Sequence, residues 1–322
     1  VPLKPPSTRA IFADAPVFFE RDIAPLVNDA ERRRRSALRE AAGIALVCAV
    51  LIVFLLTVPG DTGAVLSMII AVFGFAIAGA RINAVRARMT ERWIGRTVAH
   101  LGFTYQRERS RPDYAEPFMR FGLVRSFNRE QWEDEIVGDH DGVSFSLVEA
   151  HLKKRTGGKR KRTRTIFHGQ MIAIDIPWKF DGVTIIKRDA GVMNALGKPG
   201  KQFQRVGLAS SKFEKAFEAW STDQVEARVL LDPIMLERFE ELERLFGGAK
   251  LRAAFEAGKL YIVLEVGDRL NVGSMFRPID GAARIERLLK EFDIIFDLID
   301  VAARKTTTAV KGPLSVADVR AG

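Results

Sequence analysis

The densest run of chemistry-bearing side chains is Lys153-Lys154-Arg155-Thr156-Gly157-Gly158-Lys159-Arg160-Lys161-Arg162-Thr163-Arg164, eight cations with no acid among them. Alternating apolar residues on both sides place it at the tip of a β-hairpin. Such a tip suits an anionic lipid surface, where each cation contributes about 1 kcal/mol. A solvated tip that blunts a sheet edge would need no ligand at all. Nucleic acid ranks below both, because no aromatic interleaves with the charges to stack a base.

A second polar group, Asp223, Glu226 and Arg228, falls on one predicted helical turn and could supply an acid or a ligand. Capping and helix-pair roles account for the same residues more simply. The four histidines, His100, His140, His151 and His168, show no metal-binding spacing. His140 stands between Asp139 and Asp141, which a solvated turn explains equally well. Thr156-Gly157-Gly158-Lys159 lacks the preceding glycine and following helix of a phosphate loop. No serine occupies a nucleophile elbow. The reading inclines against an enzyme and assigns no catalytic residue, cofactor or metal.

What must position these groups begins at Ala41. Residues 41–58 and 64–80 are two uncharged apolar runs separated by a short polar tip around Asp61. As helices, each approaches the roughly 30 Å of a bilayer's hydrocarbon. The expectation is a transmembrane hairpin. Arg32, Arg33, Arg34, Arg35 and Arg39 precede it, and Arg81, Arg86, Arg88, Arg92 and Arg96 follow, so the positive-inside rule puts both termini in the cytoplasm. Ser67, Ala71, Gly74 and Ala78 form a small-residue seam on the second run, with Ala41, Ala45 and Ala49 on the first, suited to close packing with each other or with a second copy. The only cysteine, Cys48, lies in the first run, which excludes disulfides and cysteine-metal sites. A cleavable signal peptide is not expected, because the apolar run starts so late. The net charge of +10 is concentrated beside the runs and in the basic tip, which favours lipid headgroups over nucleic acid.

Residues 1–15 read as a flexible tail and 16–40 as an amphipathic helix, with Pro25 predicting a break. Beyond the hairpin, 81–302 reads as one cytoplasmic α+β domain with a sub-boundary near 190–211, and 303–322 as a disordered tail. The helix of the second run should end at Gly102, and 103–117 is turn-rich. Residues 132–137, 143–152, 165–176 and 183–187 alternate as strands of an antiparallel meander, with Asp-Gly turns at 141–142 and 181–182. A helical segment is expected around Phe213–Phe217, then a capping box at Ser221 and Gln224, and a helix restarting at Asp232-Pro233. A second hairpin joins 250–255 to 260–266, and a helix over about 281–302 closes the chain.

The string Ala219-Trp220-Ser221-Thr222-Asp223-Gln224-Val225-Glu226-Ala227-Arg228-Val229-Leu230-Leu231-Asp232-Pro233, with Phe213-Glu214, Phe217 and Arg164-Thr165-Ile166-Phe167-His168-Gly169, resembles a bacterial family of two-span inner-membrane proteins classed as a domain of unknown function, family 3137. Val229 stands where that family commonly has an aromatic, and Asp232 where threonine is common; Asp and Thr both cap helices. The resemblance implies the architecture and an inner-membrane location, and brings no functional residues. Together with the charge pattern it points to a membrane-anchored interaction module whose partners are the bilayer and a protein at its surface. An enzyme acting on a membrane-associated substrate is the alternative.

Overall fold

The computed structural model describes residues 3–57, 61–157, 162–177, 179–188, 200–208, 211–248, 250–270 and 273–310. The hairpin tip at 58–60, Lys159, Arg160 and Lys161 of the basic run, much of the 190–211 junction and the tail from 311 lie outside the described residues. The chain divides into two compact units: Val1–Leu101 with Leu270–Leu289, and Gly102–Arg269 with Lys290–Gly322.

The first unit opens with a 3-10 turn at Ala10–Phe12, α1 (Ala15–Phe18) and a π-turn at Phe19–Ile23. Helix α2 (Ala24–Leu55) restarts there with Pro25 in its first turn, where the missing N–H costs nothing. Helix α3 (Asp61–His100) runs back and ends before Gly102, whose φ of +79° terminates it. Both are long and apolar enough to cross a membrane. The flexible tail expected over 1–15 is contradicted at Leu3 and Phe12, which are buried; Phe12 is an apolar anchor that an absence of periodicity could not reveal. Among the flanking arginines, Arg34 is buried instead of facing solvent. It donates to Met275 O (2.9 Å) and forks onto Glu31 (2.6 and 2.8 Å), holding that carboxyl down at about 2.

The second unit is built on a nine-stranded antiparallel sheet among the described residues: β1 (Thr104–Arg109), β2 (Arg129–His140), β3 (Val143–Arg155), β4 (Thr163–Asp175), β5 (Thr184–Arg188), β6 (Gln204–Val206), β7 (Phe217–Ser221), β8 (Lys250–Glu256) and β9 (Lys259–Glu265). Their order is β1-β2-β3-β4-β9-β8-β5-β7-β6. One face buries Trp132, Phe167 and Val263 against α4 (Glu116–Arg120) and the residues after it. On the other, Phe145 and Phe255 meet Phe239 of α7 (Pro233–Leu245) and Phe292 and Phe296 of α8 (Gly281–Val310). The α+β class, the second hairpin and the closing helix follow the expectation. α8 continues to Val310, so the tail expected from 303 is helical as far as it is described.

Two departures have clear physical causes. Strand β5 does not pair with β4 through a turn at Asp181-Gly182. β4 takes β9 instead, Ile172 opposite Ile262, and Gly169 has no Cβ to obstruct Leu264 O. The Asp141-Gly142 and Ala257-Gly258 turns do close hairpins, with both central residues at positive φ as a twisted two-residue turn requires. Strand β1 falls in the segment read as turns. Its inward positions are Tyr105, Arg107 and Arg109, so no apolar alternation marks it.

Candidate functional site

The basic tip is the end of the β3–β4 hairpin, where Arg155 pairs with Thr163 and Lys154 with Arg164 in register. Asn128 grips its base, donating from Nδ2 to Arg155 O and accepting from Arg155 N, both at 2.8 Å. Lys154 Nζ donates to Ser126 Oγ at 2.8 Å. Lys154, Arg155, Arg162 and Arg164 are exposed and Lys153 is half-buried. None of these five is in an ion pair among the described residues, so the tip offers unneutralised charge.

The Asp223 group is consumed by the fold. Helix α6 (Gln224–Leu230) has Asp223 as its N-cap, the carboxylate accepting from Val225 N (2.8 Å) and Glu226 N (2.9 Å). This corrects the capping box expected at Ser221. Ser221 is the last residue of β7, and its Oγ accepts from Asp223 N at 3.0 Å. The helix expected at Phe213–Phe217 shortens to α5 (Ser211–Glu214), because Phe217 onward pairs as β7. Glu226 clamps the loop before β5, accepting from Asp181 N (3.1 Å) and Gly182 N (2.7 Å). Arg228 is exposed and joins neither carboxylate. Asp232 caps α7 through Met235 N at 2.8 Å, as expected.

In the hairpin, the seam is Gly63, Ser67, Gly74 and Ala78 on α3 against Ala41, Ile44, Cys48 and Ile52 on α2. The missing side chain of Gly74 admits the Cys48 thiol. Ala71, expected in this seam, is exposed, and so are Ala45 and Ala49.

One arrangement adds Asp300 to the His140 turn already singled out, and two escaped the sequence reading. His140 stacks on Phe296 (4.1 Å) with Nε2 3.4 Å from Asp300 and 3.9 Å from Asp141, a His-Asp-Asp set able to ligate a divalent cation. Asp139, the other expected oxygen, is spent on the turn, accepting from Gly142 N. Asp134 is buried at a β-bulge with φ of +55°. Tyr105 donates to it and Arg107 binds both its oxygens at 2.8 Å, yet burial still pushes its pKa up to about 6. Lys187 of β5 and Arg252 of β8 are directly opposite, both inside. Burial lowers the Lys187 pKa, with Arg252 adding repulsion, and Lys187 has no hydrogen-bond or ion-pair partner among the described residues. A lysine at an inward position of an alternating strand was the available signal.

Residues 165–302 match the model of a family described as a protein of unknown function (DUF3137). The matched stretch runs from β4 to α8. Among solved structures, the crystal structure of the mycobacterial trehalose monomycolate transport factor A, TtfA, aligns over 67% of this chain and 94% of its own, at 14% identity and a TM-score of 0.39. No curated protein matches the chain.

Proposed function

We propose that this chain is a membrane-anchored, non-catalytic interaction module of the bacterial inner membrane, with both termini cytoplasmic. Its sheet unit engages a protein partner, and its basic tip an anionic lipid surface. One observation carries the anchoring. Among the described residues, fifteen large apolar ones between Leu46 and Ile77 are exposed, Phe75 at 85% and Leu46 at 67%. Fully burying one such side chain gains about 1.5–3 kcal/mol in water, so a band this size would exceed the 5–15 kcal/mol stability of an ordinary domain. In lipid the same band is solvated. The arginine flanks and the lone Asp61 at the tip support the orientation. The commitment of Asp223 and Glu226 to cap and clamp roles supports a module without catalysis there.

The anchoring is tested by extraction and topology. Full-length protein should leave membranes only with detergent, and a reporter at residue 322 should be active on the cytoplasmic side alone. Release by salt, or a reporter active outside, overturns the reading. For the tip, trypsin should cleave 153–164 more slowly in nanodiscs containing phosphatidylglycerol than in phosphatidylcholine. Equal rates remove the lipid role, and retention on RNA lost when the eight cations become serine reassigns the tip to nucleic acid.

A further inference from the structure

Where α2 and α3 leave the apolar band, a groove of about 290 Å³ opens between them. Arg33 lines it from α2 and Arg81, Arg88 and Arg92 from α3, over a floor that includes the buried Ala30, Ala37 and Met89. Asp29 and Glu40 are the acids in the wall, so four guanidiniums face two carboxylates. Those acids serve Arg33 (2.6 Å to Asp29), Arg32 from outside the groove (3.8 Å to Asp29) and, more loosely, Arg81 (3.7 Å to Glu40). Arg88 donates only to Ala84 O of its own helix at 3.3 Å, and neither it nor Arg92 is in an ion pair among the described residues. Two like charges four residues apart on a helix repel. Here both line one groove with two further arginines.

We infer that this groove binds the phosphate headgroup of an anionic phospholipid. The inference rests on the membrane-spanning reading of 41–58 and 64–80. Three considerations carry it. Arg92 is one turn further out, at about 18 Å, whereas Arg81 adjoins the apolar run and Arg33 and Arg88 lie about 12 Å from it along their helices at about 1.5 Å per residue. That is within reach of the headgroup layer for side chains that extend toward the interface. The groove keeps a positive surplus that a phosphate complements in sign, and guanidinium forks suit its oxygens. The positive-inside rule asks only for arginines near the spans. It does not account for four of them turned onto one groove while Arg32 and Arg39 stay outside it.

The test uses the full chain in a neutral detergent, with phosphatidylglycerol, phosphatidylcholine or inorganic phosphate added. Phosphatidylglycerol should raise the Tm, phosphatidylcholine should not, and native mass spectrometry should show the anionic lipid retained. The double variant R88Q/R92Q should bind it at least about tenfold more weakly. R35Q/R39Q removes the same charge from residues that touch neither the groove nor its acids and should lose less than about twofold. Both pairs are exposed, so folding is preserved. Equal losses in the two variants, or protection by phosphatidylcholine, overturn the inference, and equal protection by inorganic phosphate reassigns the groove to a free anion. A protein that needs detergent yet shows no lipid preference loses this site alone. One that stays monodisperse without detergent loses the membrane reading as well.

Discussion

Phe73 and Phe75 of α3 are 64% and 85% exposed, whereas Phe145, Phe255 and Phe292 in the sheet unit are at most 1% exposed. The same side chain is thus on the outside of one region and at the centre of the other. Charge is distributed the opposite way. Residues 41–58 and 64–80 contain none, while the sheet unit buries Asp134, Glu135, Glu149 and Lys187. A sheet covered on both faces can hold polar groups where neighbouring strands supply partners, as Arg107 and Tyr105 do for Asp134. Two helices touching along one seam can only present their remaining surface to whatever surrounds them. The contrast therefore concerns solvent: one region is built against water, and the other fits hydrocarbon.

The sharpest way to break this contrast is to truncate one phenylalanine on each side. Phe292→Ala should cost about 3–5 kcal/mol, since it leaves a cavity beside Phe103 and Phe296. Phe75→Ala should cost under about 0.5 kcal/mol in detergent, and tryptophan-monitored denaturation reads both. Comparable costs would mean Phe75 is packed in the working protein.

The buried charges sharpen the other half. Because Asp134 holds its proton to about pH 6 in the fold and 3.8 is its ordinary value, the native state binds more protons between those limits. Stability should fall as pH rises from about 4 to 6, by up to about 3 kcal/mol, and then level off from this group. Asp134→Asn should flatten that decline in a pH series of denaturation midpoints. An unchanged slope would assign it elsewhere.

Lys187→Met should stabilise the protein by about 1–2 kcal/mol in denaturant melts, since it replaces a buried lysine that has no partner among the described residues with an apolar chain of similar length. A loss of stability would mean that the Lys187 ammonium is held by a partner within the folded protein. The polar group near α6 should respond more weakly than the buried charges. Asp223→Ala should cost about 1 kcal/mol through the lost cap, and Arg228→Ala almost nothing. A defect in Arg228→Ala unaccompanied by lost stability would point to a ligand there.

Much of the fold was legible because it rests on local rules. Asp141-Gly142 and Ala257-Gly258 announce hairpins through their tolerance of positive φ, and Asp232-Pro233 announces a helix start. Strand β1 was not legible, since its inward side chains are polar and their partners lie on β2, more than twenty residues away. The Asp181-Gly182 signal misled because a turn's sequence says nothing of competition for the strand edge beside it, which β9 takes.

By itself the sequence determined the two apolar helices, their arginine flanks and the basic tip, because periodicity, length and charge are written residue by residue. Only the tertiary structure decided that Asp223 and Glu226 are cap and clamp, that Lys187 faces Arg252, and that four flanking arginines converge on one groove. Those outcomes depend on which distant backbones pair and which helix faces meet. Long-range packing energy sets that, and no local pattern encodes it.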